Sequence, residues 1–241
     1  MEEKLAAIIR EAYDALFGER LAAVRSALDR AKRLDAGSGD VALLEIELLD
    51  ASGDDDEALA AAEAALEAFP ASMAIRLKLA TILQDGYDAD TEAREHLEQL
   101  FTRIDSGEAP GCGSDGEDTA RAKQHFVLEV LLALADARAA CHDLSGALSA
   151  AERATKLAPE DSFAPVAMSQ VLLALGRAAE AERLIEQTLE RDPRNPDAHD
   201  LRGHILTARG DQRGAYESFA RAAAFDGKRF KVPVGGAPGP G

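Results

Sequence analysis

Aromatic residues and cysteines are scarce in this chain, and the shortage of cysteines argues against two classes of protein. Its 241 residues contain no Trp, and only 5% of them are aromatic. Its two cysteines, Cys112 and Cys141, do not form a Cys-x-x-Cys pair. The pattern therefore indicates neither a disulfide-rich secreted domain nor a cysteine zinc site, and we expect two thiols in a reducing cytoplasm.

Long apolar runs are also missing. No stretch approaches the roughly 18 consecutive apolar residues that a membrane-spanning helix requires. Residues 1–17 are charged and amphipathic, and they lack the basic start and apolar core of a secretory signal. We therefore predict a cytoplasmic location and no membrane partner.

Positive charge is in short supply, since 27 Lys and Arg stand against 44 Asp and Glu and leave a net charge of −17. Such a surface repels the phosphates of nucleic acids and of anionic lipids. The charge favours protein or peptide partners that are basic or apolar.

Three motifs of common enzymes are absent: there is no phosphate-binding Gly-Lys-Ser/Thr loop, no Gly-x-Ser-x-Gly and no His-Glu-x-x-His. His199 and His204 are five residues apart, so they do not share a helix face as a zinc-binding pair would. The acidic stretches 85–92 and 114–118 lack the pattern of a calcium loop and are interpreted as solvated loops. We expect no catalysis, no cofactor and no metal.

A repeat with a period of 34 residues is present in the second half of the chain. The recurring residues are Ala147, Ala181 and Ala215; Gly176 and Gly210; and Pro159 and Pro193. Within residues 162–195, apolar residues at helical spacing precede and follow Gly176. Asn195 is a candidate N-cap and Pro196 a first helical residue for the next unit. The units are therefore read as pairs of helices, with helix A preceding the turn and helix B following it.

These units resemble the tetratricopeptide repeat. That family combines small residues in helix A, Gly at the turn, Ala at two positions of helix B and a final Pro. Residues 162–195 supply Ser169, Gly176, Ala181, Ile185 and Pro193, with Thr188 in place of the later Ala. Residues 196–229 supply Gly203, Gly210, Ala215, Phe219 and Ala222, with Gly227 where Pro is usual. Residues 128–161 supply Ala135, Ala147, Ala151, Ala154 and Pro159, with His142 in place of the turn Gly.

The N-terminal part is more degenerate. Residues 1–105 read as helical hairpins of the same kind, and the first, over 2–34, has two apolar stripes. Residues 106–118 form an acidic, Gly-rich loop before the C-terminal block 119–229, and a Gly/Pro-rich tail covers 230–241. The resemblance, clear over 128–229, implies an all-α solenoid of about five to six helix-turn-helix repeats.

The resemblance also implies a peptide-binding groove, because helix A lines the concave face in this family. It places positions 2, 5 and 9 of the last three repeats in that groove. These residues are Glu129, Leu132 and Asp136; Phe163, Val166 and Gln170; and Asp197, Asp200 and His204. Carboxylates beside apolar side chains suit a basic peptide with a hydrophobic anchor, and they disfavour the acidic tails that some family members bind.

We therefore predict an adaptor or scaffold that binds a partner peptide or helix. A cytoplasmic chaperone for an aggregation-prone client and a regulatory subunit of an enzyme are the alternatives. The last repeat lacks a polar capping helix, and the residues after it alternate between basic and apolar from Lys228 onward. One hypothesis is that Phe230, Val232 and Val234 dock on the last repeat, on the groove or on a second copy, which would allow self-association; the alternative is a frayed, solvated tail.

Overall fold

Helices form all of the regular secondary structure in the part of the chain that the structure describes. The computed structural model describes residues 2–87, 89–108 and 117–232, with side chains from residue 120 in the last range. Its twelve helices are α1 (Glu2–Phe17), α2 (Leu21–Asp35), α3 (Gly39–Ser52), α4 (Asp55–Ala68), α5 (Met73–Tyr87), α6 (Asp90–Asp105), α7 (Glu117–Ala140), α8 (Leu144–Leu157), α9 (Phe163–Ala174), α10 (Ala178–Arg191), α11 (Pro196–Ala208) and α12 (Gln212–Phe225). The predicted all-α fold of repeated helix pairs is confirmed. No described helix is both long and apolar enough to cross a membrane.

Three predictions fall wholly or partly outside the described residues: most of the loop 106–118, Cys112, and the tail from residue 233 onward, including Val234. The loop is also shorter than predicted, because Glu117 and Asp118 already belong to α7. The first of the three clear repeats, 128–161, therefore starts inside a helix rather than at its beginning.

The helices divide into two compact units, residues 1–130 and 131–241, and the division falls within α7. In the first unit, α1 packs on α2, α3 on α4 and α5 on α6. The core of the first hairpin includes Ala12, Val24, Leu28 and Ala31, with Leu5, Ile8 and Ile9 partly buried against it. These residues are the two apolar stripes that the helical spacing predicts for residues 2–34.

In the second unit, the period of 34 extends to the bounds of the helices. The B helices α8, α10 and α12 begin at Leu144, Ala178 and Gln212 and end at Leu157, Arg191 and Phe225. The recurring alanines, Ala147, Ala181 and Ala215, are all buried. Small side chains at these positions allow the two helices of each pair to approach closely.

The turn between helix A and helix B takes a left-handed residue in each of these repeats. Gly176 and Gly210 have φ of 75° and 81°, and His142 has φ of 62° at the equivalent position. Glycine adopts this conformation without steric cost, whereas a residue with a β-carbon does not. The sequence predicted His142 in place of the turn Gly, and the backbone there keeps the glycine-like geometry.

Side-chain caps begin several of the helices. The Asn195 side chain accepts a hydrogen bond of 2.8 Å from the Ala198 amide, and Pro196 follows it as the first residue of α11. This confirms the predicted cap. Asp143 and Asp211 accept similar bonds, both of 2.9 Å, from the amides of Gly146 and Gly214. Each of these bonds satisfies a backbone donor that the first turn of a helix would otherwise leave unpaired.

Candidate peptide-binding surface

Three of the predicted groove residues lie together on one face of α11. Asp197, Asp200 and His204, here called the α11 cluster, are spaced as successive turns of a helix require. His204 Nε2 lies 3.3 Å from Asp200 Oδ2, and the His204 ring meets the ring of Phe219 edge-on at a centroid distance of 5.1 Å. The cluster therefore presents two carboxylates beside an imidazole that is positioned by an aromatic ring.

The carboxylates of the α11 cluster are partly withdrawn from water. The Asp197 and Asp200 side chains are 17% and 29% exposed, whereas that of His204 is 64% exposed. Burial raises the pKa of Asp200, and the neighbouring Asp197 adds to the increase, while His204 opposes it. Two carboxylates that repel each other at a half-buried surface favour the arrival of a positive group.

One positive group is already in contact with the cluster. Arg229, which follows α12, places Nη2 at 2.8 Å from Asp197 Oδ1 and Nη1 at 3.4 Å from Oδ2. This is the paired geometry in which a guanidinium binds a carboxylate. Asp197 is therefore shaped to accept an arginine side chain.

The predicted residues of α9 occupy the repeat positions equivalent to those of α11. Phe163 stands one period before Asp197, and α9 packs beside α11, so the two residues lie on equivalent faces of neighbouring helices. Phe163 is one of the few large apolar side chains exposed among the described residues, at 54%. Gln170, one period before His204, is also exposed. Phe163 and Gln170 therefore add an exposed aromatic side chain and a polar one to the charged surface of the α11 cluster.

Val166 does not belong to this surface. It is 4% exposed and packs in the core with Leu172, Ala181 and Ile185, which corrects its predicted place on the groove floor. The reason is helical geometry: position 5 lies about 60° round the helix from position 2, on the side facing helix B. A valine there is buried, whereas the equivalent Asp200 in the next repeat keeps its carboxylate at the surface.

The three predicted residues of α7 have the same spacing as the α11 cluster, but they fall on either side of the boundary between the two units. Leu132 is half-buried and Asp136 exposed, and both belong to the second unit. Glu129 belongs to the first unit, where His125 Nδ1 lies 3.5 Å from its carboxylate. Burial raises the pKa of Glu129, and Glu47 adds to the increase while His125 and Lys78 oppose it. Glu129 is therefore part of a different charged surface.

That second surface escaped the sequence prediction. Lys78 Nζ lies 2.9 Å from Glu47 Oε2 and 2.7 Å from Asp50 Oδ2. Burial, followed by Glu47 and Asp40, raises the pKa of the nearby Tyr13. These residues sit on the A helices α1, α3 and α5, whose repeats are too degenerate for groove positions to be assigned by period. The high density of acidic residues in α3 was the sequence feature that could have indicated this surface.

The described residues contain no group of three or more His, Cys, Asp or Glu side chains arranged to hold a metal ion. The α11 cluster is suited to binding a ligand. Its two carboxylates and its imidazole can contact a cationic group, and the exposed ring of Phe163 on the neighbouring helix α9 can contact an apolar one.

Comparison with known proteins identifies the repeats. The sequence model for the tetratricopeptide repeat matches residues 139–205, which run from the end of α7 into α11. No curated protein matches the chain in sequence.

Several solved structures share the fold. PilW, a widely conserved type IV pilus biogenesis factor, superposes with a TM-score of 0.71 at 16% identity, covering 91% of this chain and 92% of its own. PilF of Pseudomonas aeruginosa gives 0.68 at 13% identity, covering 94% of both chains. YrrB, a tetratricopeptide-repeat protein with an unusual peptide-binding site, gives 0.53 at 17% identity, covering 84% of this chain and 93% of its own. At these identities the likeness establishes the fold. With the 34-residue period, the left-handed turns and the family match, residues 139–205 carry tetratricopeptide repeats, and the described chain has the fold of the tetratricopeptide-repeat structures that it resembles.

Proposed function

We propose that this protein is an adaptor that binds a basic peptide segment with an apolar anchor on the surface formed by α9 and α11. The observation that carries the proposal is the α11 cluster, where the half-buried carboxylates of Asp197 and Asp200 lie beside each other and Asp197 already binds a guanidinium. Phe163, at the equivalent position of the neighbouring helix, supplies exposed aromatic surface for the anchor.

Three general observations support a protein ligand. The fold is a helical repeat, and such repeats present extended surfaces to protein partners. YrrB, which shares the fold, has a peptide-binding site. The net charge of −17 would attract a basic segment during its approach.

Discrete anchors fit an adaptor better than they fit a chaperone for unfolded clients. Among the described residues, the large exposed apolar side chains are Tyr13 and Phe17 on α1, Phe163 and Leu175 at the two ends of α9, and Phe225 at the end of α12. A holdase would need a broad continuous apolar patch. We also propose a cytoplasmic site of action, on the sequence grounds given above, which fractionation of host cells would test.

Binding would be tested by fluorescence anisotropy with two labelled peptides of equal length. One alternates Arg or Lys with Phe or Val, and the other replaces each basic residue by Glu. We expect the basic peptide to bind and the acidic one not to bind. Binding should weaken as salt rises from about 0.05 to 0.3 M, because salt screens exposed charges. Preference for the acidic peptide would overturn the proposal.

A charge-reversed variant would locate the site. Asp197→Lys combined with Asp200→Lys should weaken binding of the basic peptide at least tenfold. The matched control is Glu186→Lys combined with Glu190→Lys, since both glutamates are exposed on the B helix α10 and the net charge changes equally. Equal weakening in the two variants would mean that overall charge, rather than this surface, drives binding.

A further inference from the structure

The segment that follows α12 turns back toward the α11 cluster. Asp226 Oδ1 accepts hydrogen bonds from the amides of Lys228 (3.2 Å) and Arg229 (3.1 Å), and the Asp226 carbonyl accepts one of 3.0 Å from the Phe230 amide. A side chain that binds amides two and three residues ahead holds the backbone in a turn. Asp226 thereby directs Arg229 back along α11 rather than away into solvent.

Arg229 reaches the cluster through both nitrogens of its fork. Its two contacts with Asp197 are 2.8 and 3.4 Å, and its charge also lowers the pKa of Asp200, against the larger effect of burial. The guanidinium carbon stands 5.0 Å from the centre of the Phe230 ring. The chain's own segment therefore brings an arginine with an adjacent aromatic ring to the carboxylates of the cluster.

The two side chains of the Arg229–Asp197 ion pair differ in their exposure to solvent. The Asp197 side chain is 17% exposed, whereas that of Arg229 is 59% exposed. An ion pair with so much of one partner in water contributes little to stability, and a competing cation replaces it at low cost. A buried guanidinium would be hard to displace, whereas the guanidinium of Arg229 covers the cluster from the solvent side and can be replaced.

We propose that Arg229 is an internal competitor for the peptide site, and that the partner's anchor is an arginine beside an aromatic residue, which takes over the contact with Asp197. This inference rests on the proposed function and specifies the chemistry of its ligand. In the free protein the cluster is covered by Arg229, and a partner binds only in the fraction of molecules in which Arg229 has moved away. The apparent affinity is reduced by that fraction.

The first test is Arg229→Gln, measured with the basic peptide described above. Removal of the competitor should tighten binding about two- to fivefold, the range expected if an exposed pair covers the site half to four-fifths of the time. Arg213→Gln is the matched control: Arg213 is on α12, is 78% exposed and pairs with Glu217, four residues along the same helix. It removes the same charge and should leave the affinity unchanged.

A double-mutant cycle distinguishes competition from general electrostatics. In an Asp197→Asn background, Arg229→Gln should no longer tighten binding, because the contested carboxylate is gone. An equal gain in that background would overturn the proposal, and so would an unchanged or weaker affinity of Arg229→Gln in the native background. Replacement of the peptide's arginines by lysines should weaken binding, because an ammonium cannot bridge both oxygens of Asp197 as a guanidinium does. Equal affinity of the two peptides would refute the arginine anchor.

The outcomes separate this inference from the function on which it rests. Binding of the basic peptide with no response to Arg229→Gln leaves the adaptor function standing and removes the competitor. Absence of binding by every variant removes both. Melting temperatures of all variants, measured in parallel, should agree within a few degrees, since the altered groups lie at the surface.

Discussion

The ring of Phe219 lies directly against the α-carbon of Gly203, so that a β-carbon at residue 203 would stand 2.6 Å from Phe219 Cε1. Both residues are buried, Phe219 on α12 and Gly203 on α11. The same ring meets His204 edge-on at 5.1 Å. The missing side chain at residue 203 therefore determines how closely the last two helices approach, and it places the ring that supports the α11 cluster.

Gly203→Ala should destabilise the protein by about 1–3 kcal/mol, because the added methyl forces the aromatic ring or the helix to move. The midpoint of urea unfolding would measure the change. Gly86→Ala is the matched control, since a β-carbon at that α5 position meets nothing within 4 Å. It should be neutral or stabilising by about 0.5–1 kcal/mol, as expected for Ala over Gly in a helix. Equal effects of the two substitutions would refute the close contact.

His142→Gly should stabilise the protein by about 1 kcal/mol, because His142 holds a left-handed φ of 62° that costs a residue with a β-carbon more than it costs glycine. The reverse exchange, Gly176→Ala, occurs at the equivalent turn, where φ is 75° and no atom lies within 4 Å of the added carbon. It should destabilise by a similar amount, and for backbone reasons alone. Thermal unfolding of both variants would measure the pair. Shifts of the same sign would contradict the shared geometry.

Ala181→Leu should cost about 1–3 kcal/mol, because Ala181 is completely buried between helices and the larger side chain overpacks the site. Ala179→Leu, two residues earlier on α10 and exposed, provides a control with the same change in side chain. It should leave the unfolding midpoint within about 0.5 kcal/mol of the native value. A costly Ala179→Leu with a harmless Ala181→Leu would show that the repeat register is shifted.

His199 should make the last repeat sensitive to acid. It is 3% exposed, its Nε2 lies 3.0 Å from the Pro193 carbonyl, and its buried Nδ1 has no hydrogen-bond partner among the described residues. Burial lowers its pKa below the ordinary 6.5, an effect that Arg221 and Arg202 reinforce and that the Pro193 carbonyl and Asp192 oppose. A lowered pKa in the folded state favours the neutral ring. The stability from His199 is therefore complete above pH 6.5 and is lost as pH falls from 6.5 through the folded-state pKa.

His199→Gln would test this pH dependence, since glutamine also offers a donor to the Pro193 carbonyl but does not titrate. The free energy of unfolding should fall less steeply between pH 6.5 and 5 in the variant than in the native protein. Asp200 and Glu129 have raised pKa values, so their contribution to the free energy of unfolding increases as pH falls. This contribution is the same in both proteins and does not affect the comparison. Parallel curves for the two proteins would show that the buried imidazole does not titrate in this range.

Much of the repeat block was predictable because its signals are local. The turn glycines, the buried alanines and the Asn195 cap each act within one or two helical turns, so their spacing predicts helix bounds directly. The start of α7 was not predictable, because its first turns carry polar residues with no apolar stripe. Val166 was misplaced because a repeat position identifies a face only to within one residue, and packing decides which edge of that face is buried.

The sequence by itself determined the class of fold, the 34-residue register and the acidic character of the surface, since these follow from composition and helical period. The resemblance to the tetratricopeptide repeat indicated the three residues of the α11 cluster. Tertiary structure alone decided which charges meet. Lys78 joins Glu47 and Asp50 across neighbouring helices, Glu129 belongs to that unit rather than to the α11 cluster, and Arg229 returns to Asp197. These pairings depend on how separate helices and a turn position the side chains in space. Residues that are far apart in sequence have no local sequence pattern that predicts such a contact.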